Sequence, residues 1–485
     1  MAKSWVNSAE VLGADLHLEL SGAGSRRAAL TRVLRDAIRG GRLAPGSRLP
    51  PYRSLAADLG IARNTVADAY AELVAEGWLA ARQGSGTRVA RRTDSAGPAG
   101  PSGPAGSTGS AGSAASTPAR PVPLPPPARR PPHDLVQGNP DPSAFPRSAW
   151  LASARRALSS APHDAFGPGD PHGRPELREA LAEYLARVRG VRTDPARIVV
   201  CSGAAHGLRL LSGVLGRRWA VEAYGLPFHR GLLTSAGVTT VPLAVDAHGA
   251  DVSALRREHA VLLTPAHQFP TGGPLGPGRR AAVVEWARTT GALVVEDDYD
   301  GEFRYDRRPV GAVQSLAPEA VALLGSVSKS LSPTLRLGWM VLPERLVAPV
   351  VAAKGEREQW SSATEQLTLA DFIASGSYDR HVRRMRQRYR RRRDRLTQAL
   401  AERAPGVRVS GIAAGLHAVL ELPPGTERSV VKAAAWQGLA VEGLGEYRHP
   451  ECAKERDGLV VGYATPPDHG YPDALDTLCR ALPPG

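Results

Sequence analysis

The sequence predicts two folded modules of different class on one chain: an α+β module in residues 1–92 and an α/β module in residues 134–485, joined by a long linker over 93–133. Three observations predict this. The chain has 485 residues, and a single hydrophobic core stops growing near roughly 250–300 residues, so at least two domains are expected. The composition breaks after Arg92, where "TDSAGPAGPSGPAGSTGSAGSAASTPARPVPLPPPARRPP" offers nothing that can bury a core. The hydrophobic period also differs on either side: helical spacing before the break, and apolar runs alternating with helical stretches after it.

In the first module, "SRRAALTRVLRDAIRGGRL" sets Leu30, Val33, Leu34, Ala37 and Ile38 at i, i+3, i+4, i+7 and i+8, with Ser25 as N-cap and Gly40-Gly41 as the stop. A second helix in "YRSLAADLG" stops at Gly60. A third in "RNTVADAYAELVAEG" buries Val66, Ala69, Tyr70, Leu73 and Val74 and stops at Gly77, and "WLAARQGSGTRVA" reads as two strands around a Gly-Ser-Gly tip. Three helices with the short turn "GIA" between the last two, backed by a hairpin, make a winged helix-turn-helix. Its third helix enters the major groove, with Arg63, Asn64 and Thr65 at the end that reaches base edges. Arginine grips guanine and asparagine grips adenine in bidentate fashion. Arg53, at the start of the second helix, and the wing residues Arg82, Gln83, Gly84 and Gly86 are expected on the backbone or in the minor groove.

The linker is flexible in its Gly/Ser-rich half and stiffens toward polyproline II in "PARPVPLPPPARRPP". As a coil it averages roughly 35 Å end to end and extends to about 120 Å, enough for one domain to act on a neighbouring subunit. After it, "RIVVCSG", "WAVEAYG", "HAVLLTP", "ALVVEDDYD", "AVALLGS" and "RLGWMVLP" alternate with amphipathic segments, which predicts a largely parallel sheet. "GLHAVLELP", "LAVEGLG" and "DGLVVGYAT" near the end predict a smaller α+β domain.

A net charge of +14 and a pI near 10.2 favour a polyanionic partner. No run of about 20 apolar residues could span a bilayer, and the N-terminus lacks a signal-peptide core, so a cytoplasmic protein is expected. Cys201, Cys452 and Cys479 are scattered without ligand spacing, and no metal site is expected. The run "RHVRRMRQRYRRRRDRL" predicts a helix with Val382, Met385, Tyr389 and Leu396 inward and arginines on a solvated face or a DNA-steering surface.

A pyridoxal phosphate site needs a lysine for the Schiff base, a carboxylate for the pyridine nitrogen, a phenol near the ring oxygen and a phosphate cup. Lys329 follows the apolar strand "AVALLGS", and Asp297 and Tyr299 stand at the end of another in "VVEDDYD". Arg336 can clamp phosphate with its planar fork, Ser326 and Ser328 add hydroxyls, and the amides of Gly203 and Ala204 in "CSGAAHGL" form an anion nest at a strand-to-helix turn.

The stretch "GRLAPGSRLPPYRSLAADLGIARNTVADAYAELVAEGWLAARQGSGTRV" resembles the GntR-type winged-helix DNA-binding domain, with Ala62 where that family often has a serine N-cap. From Asp134 onward the chain resembles fold type I aminotransferases. "FGPGDPHGRPELREALAEYL", "TPAHQFPTGGPLGPGRR", "VVEDDYDGEFRYDRRP" and "SVSKSLSPTLRLGWMVLP" resemble the MocR/GabR group in particular, in which a GntR-type domain is tethered to an aminotransferase-like one. The resemblance implies a homodimeric transcription regulator, with a head-to-tail, domain-swapped arrangement open to it, that binds a double-stranded DNA operator. It makes Lys329 the lysine that carries pyridoxal 5'-phosphate, Asp297 the pyridine-nitrogen partner, Tyr299 the 3'-oxygen partner and Arg336 the phosphate arginine.

The departures from the aminotransferase pattern bear on the effector. Val460, in "GLVVGYAT", stands where the enzymes carry the arginine for the substrate carboxylate, Phe166 replaces a tyrosine, and Phe269 replaces the asparagine of an N-P-T-G turn. Arg230 remains for an anionic effector, and Phe228 is expected to stack on the cofactor ring. The expectation is therefore sensing rather than turnover, with no catalytic residue assigned, pyridoxal phosphate or its amino-compound adduct as effector, and control of vitamin B6 synthesis as in the PdxR subgroup. Control of aminobutyrate or other amine metabolism and an active aminotransferase stay open as alternatives.

Overall fold

The computed structural model describes residues 25–90 and 131–483, apart from 41–42, 44–45, 83–85, 306–310, 356–360 and 454. The linker expected over 93–133 lies outside the described residues up to residue 130.

The N-terminal module is built as its pattern dictates. Helix α1 (Arg26–Arg39) starts where the Ser25 hydroxyl accepts the amide of Ala28 at 3.3 Å. Helix α2 (Tyr52–Leu59) begins behind Pro51 and ends at Gly60, whose left-handed φ of 64° turns the chain into α3 (Arg63–Ala75) within three residues. Leu30, Leu34, Ala37, Leu55, Val66, Ala69, Tyr70 and Leu73 fill the core, and the buried Tyr70 hydroxyl donates to the Pro50 carbonyl at 3.1 Å. Val33, Ile38 and Val74, expected inside, are only partly buried and pack at its rim. Strands β1 (Leu79–Arg82) and β2 (Gly86–Val89) pair antiparallel as the wing. Arg35 grips Glu76 in bidentate fashion, fastening α1 to the end of α3.

The C-terminal module opens with β3 (His133–Asp134), α4 (Arg147–Ser160), α5 (Pro175–Arg189), β4 (Ile198–Cys201), α6 (Ala204–Val214), β5 (Arg218–Glu222), α7 (Pro227–Ser235) and β6 (Thr239–Leu243). It continues with the small hairpin β7 (Val245–Asp246) and β8 (Gly249–Ala250), then β9 (Ala260–Leu263), α8 (Pro277–Thr290), β10 (Leu293–Asp297), β11 (Val321–Ser326) and β12 (Gly338–Val341). Seven strands form one sheet in the order β4-β12-β11-β10-β9-β5-β6. β4, β9, β10 and β12 are buried at every residue because helices cover both faces, which is why the sequence shows apolar runs rather than alternation.

Every pairing in this sheet is parallel except those of β12, which runs antiparallel to both β11 and β4. That reversal positions the site. A chain returning antiparallel after β11 turns back at the same edge, so the turn holding Lys329 and Arg336 stays at the carboxyl ends of β10 and β11, beside Asp297.

After α9 (Glu344–Lys354), α10 (Ala363–Ala374) and α11 (Ser377–Arg403) comes the smaller domain: β13 (Arg408–Ser410), β14 (Ala418–Glu421), α12 (Glu427–Trp436), β15 (Leu439–Ala440), β16 (Glu442–Gly443), β17 (Gly458–Val461) and α13 (Tyr471–Ala481). Its sheet has the order β13-β14-β17-β16, and β3 joins β15 in a separate parallel pair. His133, assigned above to the linker, is therefore strand: its amide donates to Gly438 at 3.1 Å, a bond that the prolines before it cannot make.

Helix α11 turns Val382, Met385, Tyr389 and Leu396 inward as expected, but its arginines are not simply a solvated face. Arg392 is buried and donates to the Tyr463 carbonyl at 3.0 Å and to Asp468 at 2.7 Å, Arg388 reaches Asp468 at 2.9 Å, and Arg386 donates to the Glu302 carbonyl at 2.8 Å. Part of the apparent surface charge, Arg386, Arg388 and Arg392, is internal fastening. Among the described residues, no helix is long and apolar enough to cross a membrane and no group of side chains could hold a metal ion.

Candidate cofactor site and DNA-binding face

The run Glu296-Asp297-Asp298-Tyr299-Asp300 leaves β10 into the protein interior, and its acidic groups meet different fates. Glu296 accepts the amides of Val313 and Gln314 at 3.0 and 2.9 Å. Asp298 takes a bidentate grip from Arg189 at 2.7 and 2.8 Å, and Asp300 lies 2.7 Å from His267 Nδ1. Asp297 is different: its Oδ1 is buried without a hydrogen-bond partner. Burial first, then Asp298, pushes its carboxyl up to about 7, against the pull of Lys329. A buried acceptor with no donor is a cost unless a ligand supplies one, and a protonated ring nitrogen is such a donor.

Lys329, three residues beyond β11, is partly buried, and its Nζ donates to the carbonyl of Gly138. Burial lowers its pKa, with Asp297 and Asp300 opposing. A depressed lysine pKa favours the neutral, nucleophilic amine that a carbonyl ligand needs. Tyr299 is held with its hydroxyl 2.9 Å from His267 Nδ1, and burial raises its pKa well above the usual range, so it stays a proton donor.

The phosphate side is shaped by close backbone approach. Gly203 caps α6 at φ 113°, and a Cβ on Gly338 would lie 2.7 Å from Gly203 Cα and 2.8 Å from the Gly325 carbonyl oxygen. The bare backbone of β12 thus lets the α6 N-terminus, with Ala204 as its first residue, meet the end of β11. Ser326 sits at that end, its hydroxyl accepting the Ser328 amide at 3.4 Å. Arg336 closes the turn at φ 52°, the one non-glycine residue with positive φ among the described residues, and its side chain is exposed. Such strain costs of order 1–3 kcal/mol and persists where a position is functionally required. The orphan Asp297 oxygen, the enclosed Lys329 and this anion-friendly turn fit pyridoxal 5'-phosphate.

Next to Asp297 and Tyr299 lies a cavity whose lining also includes Glu222, His229, Arg230 and Phe269. Here two expectations are corrected. Phe228 is 64% exposed and does not line the cavity, whereas its neighbour His229 does; one residue on helix α7 is a rotation of about 100°, enough to exchange inside for outside. His229 Nδ1 stands 3.8 Å from Asp297 Oδ2, and burial, then Lys329, pulls the ring down to about 4, so it is neutral. Arg230 does line the cavity, but it is not a free anion receptor. Its guanidinium donates to the carbonyls of Gly225 at 2.7 Å, Tyr447 at 2.9 Å and Arg448 at 3.0 Å. Val460 is fully buried in an apolar cluster with Phe269, Tyr224 and Tyr447, with Tyr299 packed against it. Phe166 is exposed.

On the N-terminal module, Arg63 and Asn64 are exposed on the first turn of α3, with Thr65 half-buried behind them and no acidic residue in that turn. Ala62 provides no side-chain cap. Arg53 is exposed on the first turn of α2, and Gly86 sits at φ 81° at the wing. Gln83 and Gly84 lie outside the described residues, and Arg82 is described only as the end of β1.

Sequence reasoning missed Gly138, Asp300 and the role of His267 beside Tyr299. No local signal marks them, because each acts on a residue 32 to 191 positions away.

Comparison with known proteins agrees with both modules. Residues 27–89 match the model for bacterial regulatory proteins of the gntR family, and residues 134–454 match aminotransferase class I and II. The chain is 33% identical over 439 residues to the HTH-type pyridoxine biosynthesis transcriptional regulator PdxR of Corynebacterium glutamicum, covering 90% of this chain and 91% of that one. It is 34% identical over 446 residues to the probable rhizopine catabolism regulatory protein MocR of Rhizobium meliloti, covering 90% and 89%. Among solved structures, Pyrococcus horikoshii kynurenine aminotransferase superposes with a TM-score of 0.66 at 24% identity, over 72% of this chain and 90% of that one.

Proposed function

Because the chain belongs to the MocR-type helix-turn-helix regulators, a GntR-type DNA-binding module fused to an aminotransferase class I and II domain, we propose that it holds pyridoxal 5'-phosphate on Lys329 and controls vitamin B6 synthesis genes with that compound as effector. The winged helix presents Arg63, Asn64 and Thr65 to the major groove, with Arg53 and the wing on phosphates. The cofactor, when bound, supplies an electrophilic carbonyl and a ring that takes up electron density. The chain's own residues do the rest. Lys329 offers the amine, Asp297 accepts from the ring nitrogen, Tyr299 donates toward the 3'-oxygen, and Arg336, Ser326, Ser328, Gly203 and Ala204 receive the phosphate.

One observation carries the choice of effector. Arg230 is the only lysine or arginine lining the cavity beside Asp297 among the described residues, and its donors are held by three backbone carbonyls. With Val460 apolar and buried, an amino acid's carboxylate meets no free cation there. A carboxylate without a charge-assisted partner loses about 1.5–3 kcal/mol. Pyridoxal phosphate itself needs none. The 33% identity to a pyridoxine biosynthesis regulator supports the same reading. We take the working form as a cytoplasmic homodimer.

Retardation of the chain's own upstream DNA, titrated with pyridoxal phosphate, tests this. Wild type should change its DNA affinity and Lys329→Ala should not; a Lys329→Ala protein that still responds fully sinks the proposal. The second reading, transamination, draws on the intact Lys329, Asp297 and Tyr299. It gains ground if an amino-acid panel converts the bound cofactor to pyridoxamine phosphate.

A further inference from the structure

Tyr299 does not stand alone. His267 and Asp300, 3% and 2% exposed, form a buried pair behind it, with Nδ1 2.7 Å from Asp300 Oδ2 and the same Nδ1 2.9 Å from the Tyr299 hydroxyl. The His267 and Tyr299 rings lie nearly parallel, 25° apart, and Phe269 packs edge-on against Tyr299 at 5.7 Å. The backbone seals the pair: a Cβ on Gly415 would come within 2.5 Å of both Asp300 Oδ2 and His267 Cε1. A buried imidazole–carboxylate pair is costly unless each group is satisfied.

One nitrogen faces both oxygens, which fixes the chemistry. An imidazole nitrogen carries either a proton or a lone pair, and a carboxylate at 2.7 Å requires the proton. Nδ1 therefore donates to Asp300, and the Tyr299 hydroxyl, which is also hydrogen-bonded to the Asp300 side chain, is fixed between the imidazole and the carboxylate. The other ionisable groups facing Tyr299 are Asp297 and Glu222, which with Asp300 raise its pKa, and His417, stacked 6.5 Å away and pushed down to about 3 by burial, so neutral.

The geometry points to Asp300 and His267 as positioning residues that orient the Tyr299 phenol and so set how strongly it polarises the cofactor's 3'-oxygen. This rests on the cofactor reading above. The visible absorbance of full-length, pyridoxal-phosphate-loaded protein is titrated against pH for wild type, Tyr299→Phe, His267→Gln, Asp300→Asn and the His267→Gln/Tyr299→Phe double variant. His267→Gln and Asp300→Asn should move the transition in the same direction as Tyr299→Phe, by about one pH unit, a tenfold change in proton affinity. In the Tyr299→Phe background, His267→Gln should move it no further. Full additivity in the double variant, or an unmoved transition in either single variant that binds cofactor at one per chain, overturns the assignment while leaving the cofactor reading intact. If His267→Gln fails to fold, Asp300→Asn alone decides. A wild-type protein with no cofactor absorbance overturns both.

Discussion

The two modules present their candidate site residues in opposite ways. Arg53, Arg63 and Asn64 stand in solvent on the outer turns of helices whose core is filled from the other face. Asp297, His267 and Asp300 are buried with Tyr299 partly buried beside them, and Lys329 is pinned to a carbonyl. On the first surface, recognition and stability are separable, because an exposed donor contributes little to folding until DNA arrives. In the second, every recognition group is also a folding term, because a buried polar atom is satisfied or costs free energy.

Three variants break or sharpen that contrast. The largest effect is expected from Arg63→Ala with Asn64→Ala. Each lost base contact costs about 1–3 kcal/mol, so operator affinity should fall by about 30-fold to more than 1,000-fold while the melting temperature stays put. A drop in melting temperature of several degrees would show that the surface is not separable after all.

Asp297→Asn should behave in the other manner. With its carboxyl pushed up to about 7, the folded empty protein holds a proton that the unfolded chain releases near pH 4. Stability of the empty protein thus falls as pH rises from about 4 to about 7 and stays lower above that. The amide cannot ionise, so calorimetry should find the empty variant melting about 5 °C above wild type at pH 8 and level with it near pH 4. Its affinity for pyridoxal phosphate should meanwhile drop by about 10- to 150-fold, the worth of a charge-assisted hydrogen bond. Equal melting at pH 8 would mean that Asp297 carries no such penalty.

The smallest effect is Ala62→Ser. Ala62 has the extended φ/ψ of an N-cap and no side-chain bond, so a serine hydroxyl should stabilise α3 by about 1 kcal/mol, read as a higher melting temperature with operator affinity changed by less than threefold.

The same contrast explains what the sequence could and could not reveal. The place of Arg63 and Asn64 at a helix start was legible because a helix start is a local event, written in Gly60 and the period of Val66, Ala69, Tyr70 and Leu73. The common location of Lys329, Asp297, Tyr299 and Arg336 was legible because the first three lie at or just past the end of an apolar run and Arg336 just before the next one, all at one sheet edge. Phe228 was misassigned in favour of the less conspicuous His229, since helix phase at a single residue is decided by how α7 packs. Arg230 was taken for a receptor because nothing in "YGLPFHRG" discloses that carbonyls more than 200 residues onward occupy its donors. Val460 was placed by resemblance, and its apolar surroundings are a property of Tyr224, Phe269 and Tyr447 together.

The carbonyl of Gly138 that receives Lys329 lies 191 residues before it, and its neighbour Gln137 reaches the Tyr447 hydroxyl 310 residues later. Contacts so distant along the chain close last. During synthesis, the winged helix can fold as soon as Val89 has left the ribosome, since its core closes between Ala29 and Val89. The lysine pocket waits for β15 and β17. Each new molecule therefore passes through an interval in which its winged helix is folded and the surroundings of Lys329 are not yet complete.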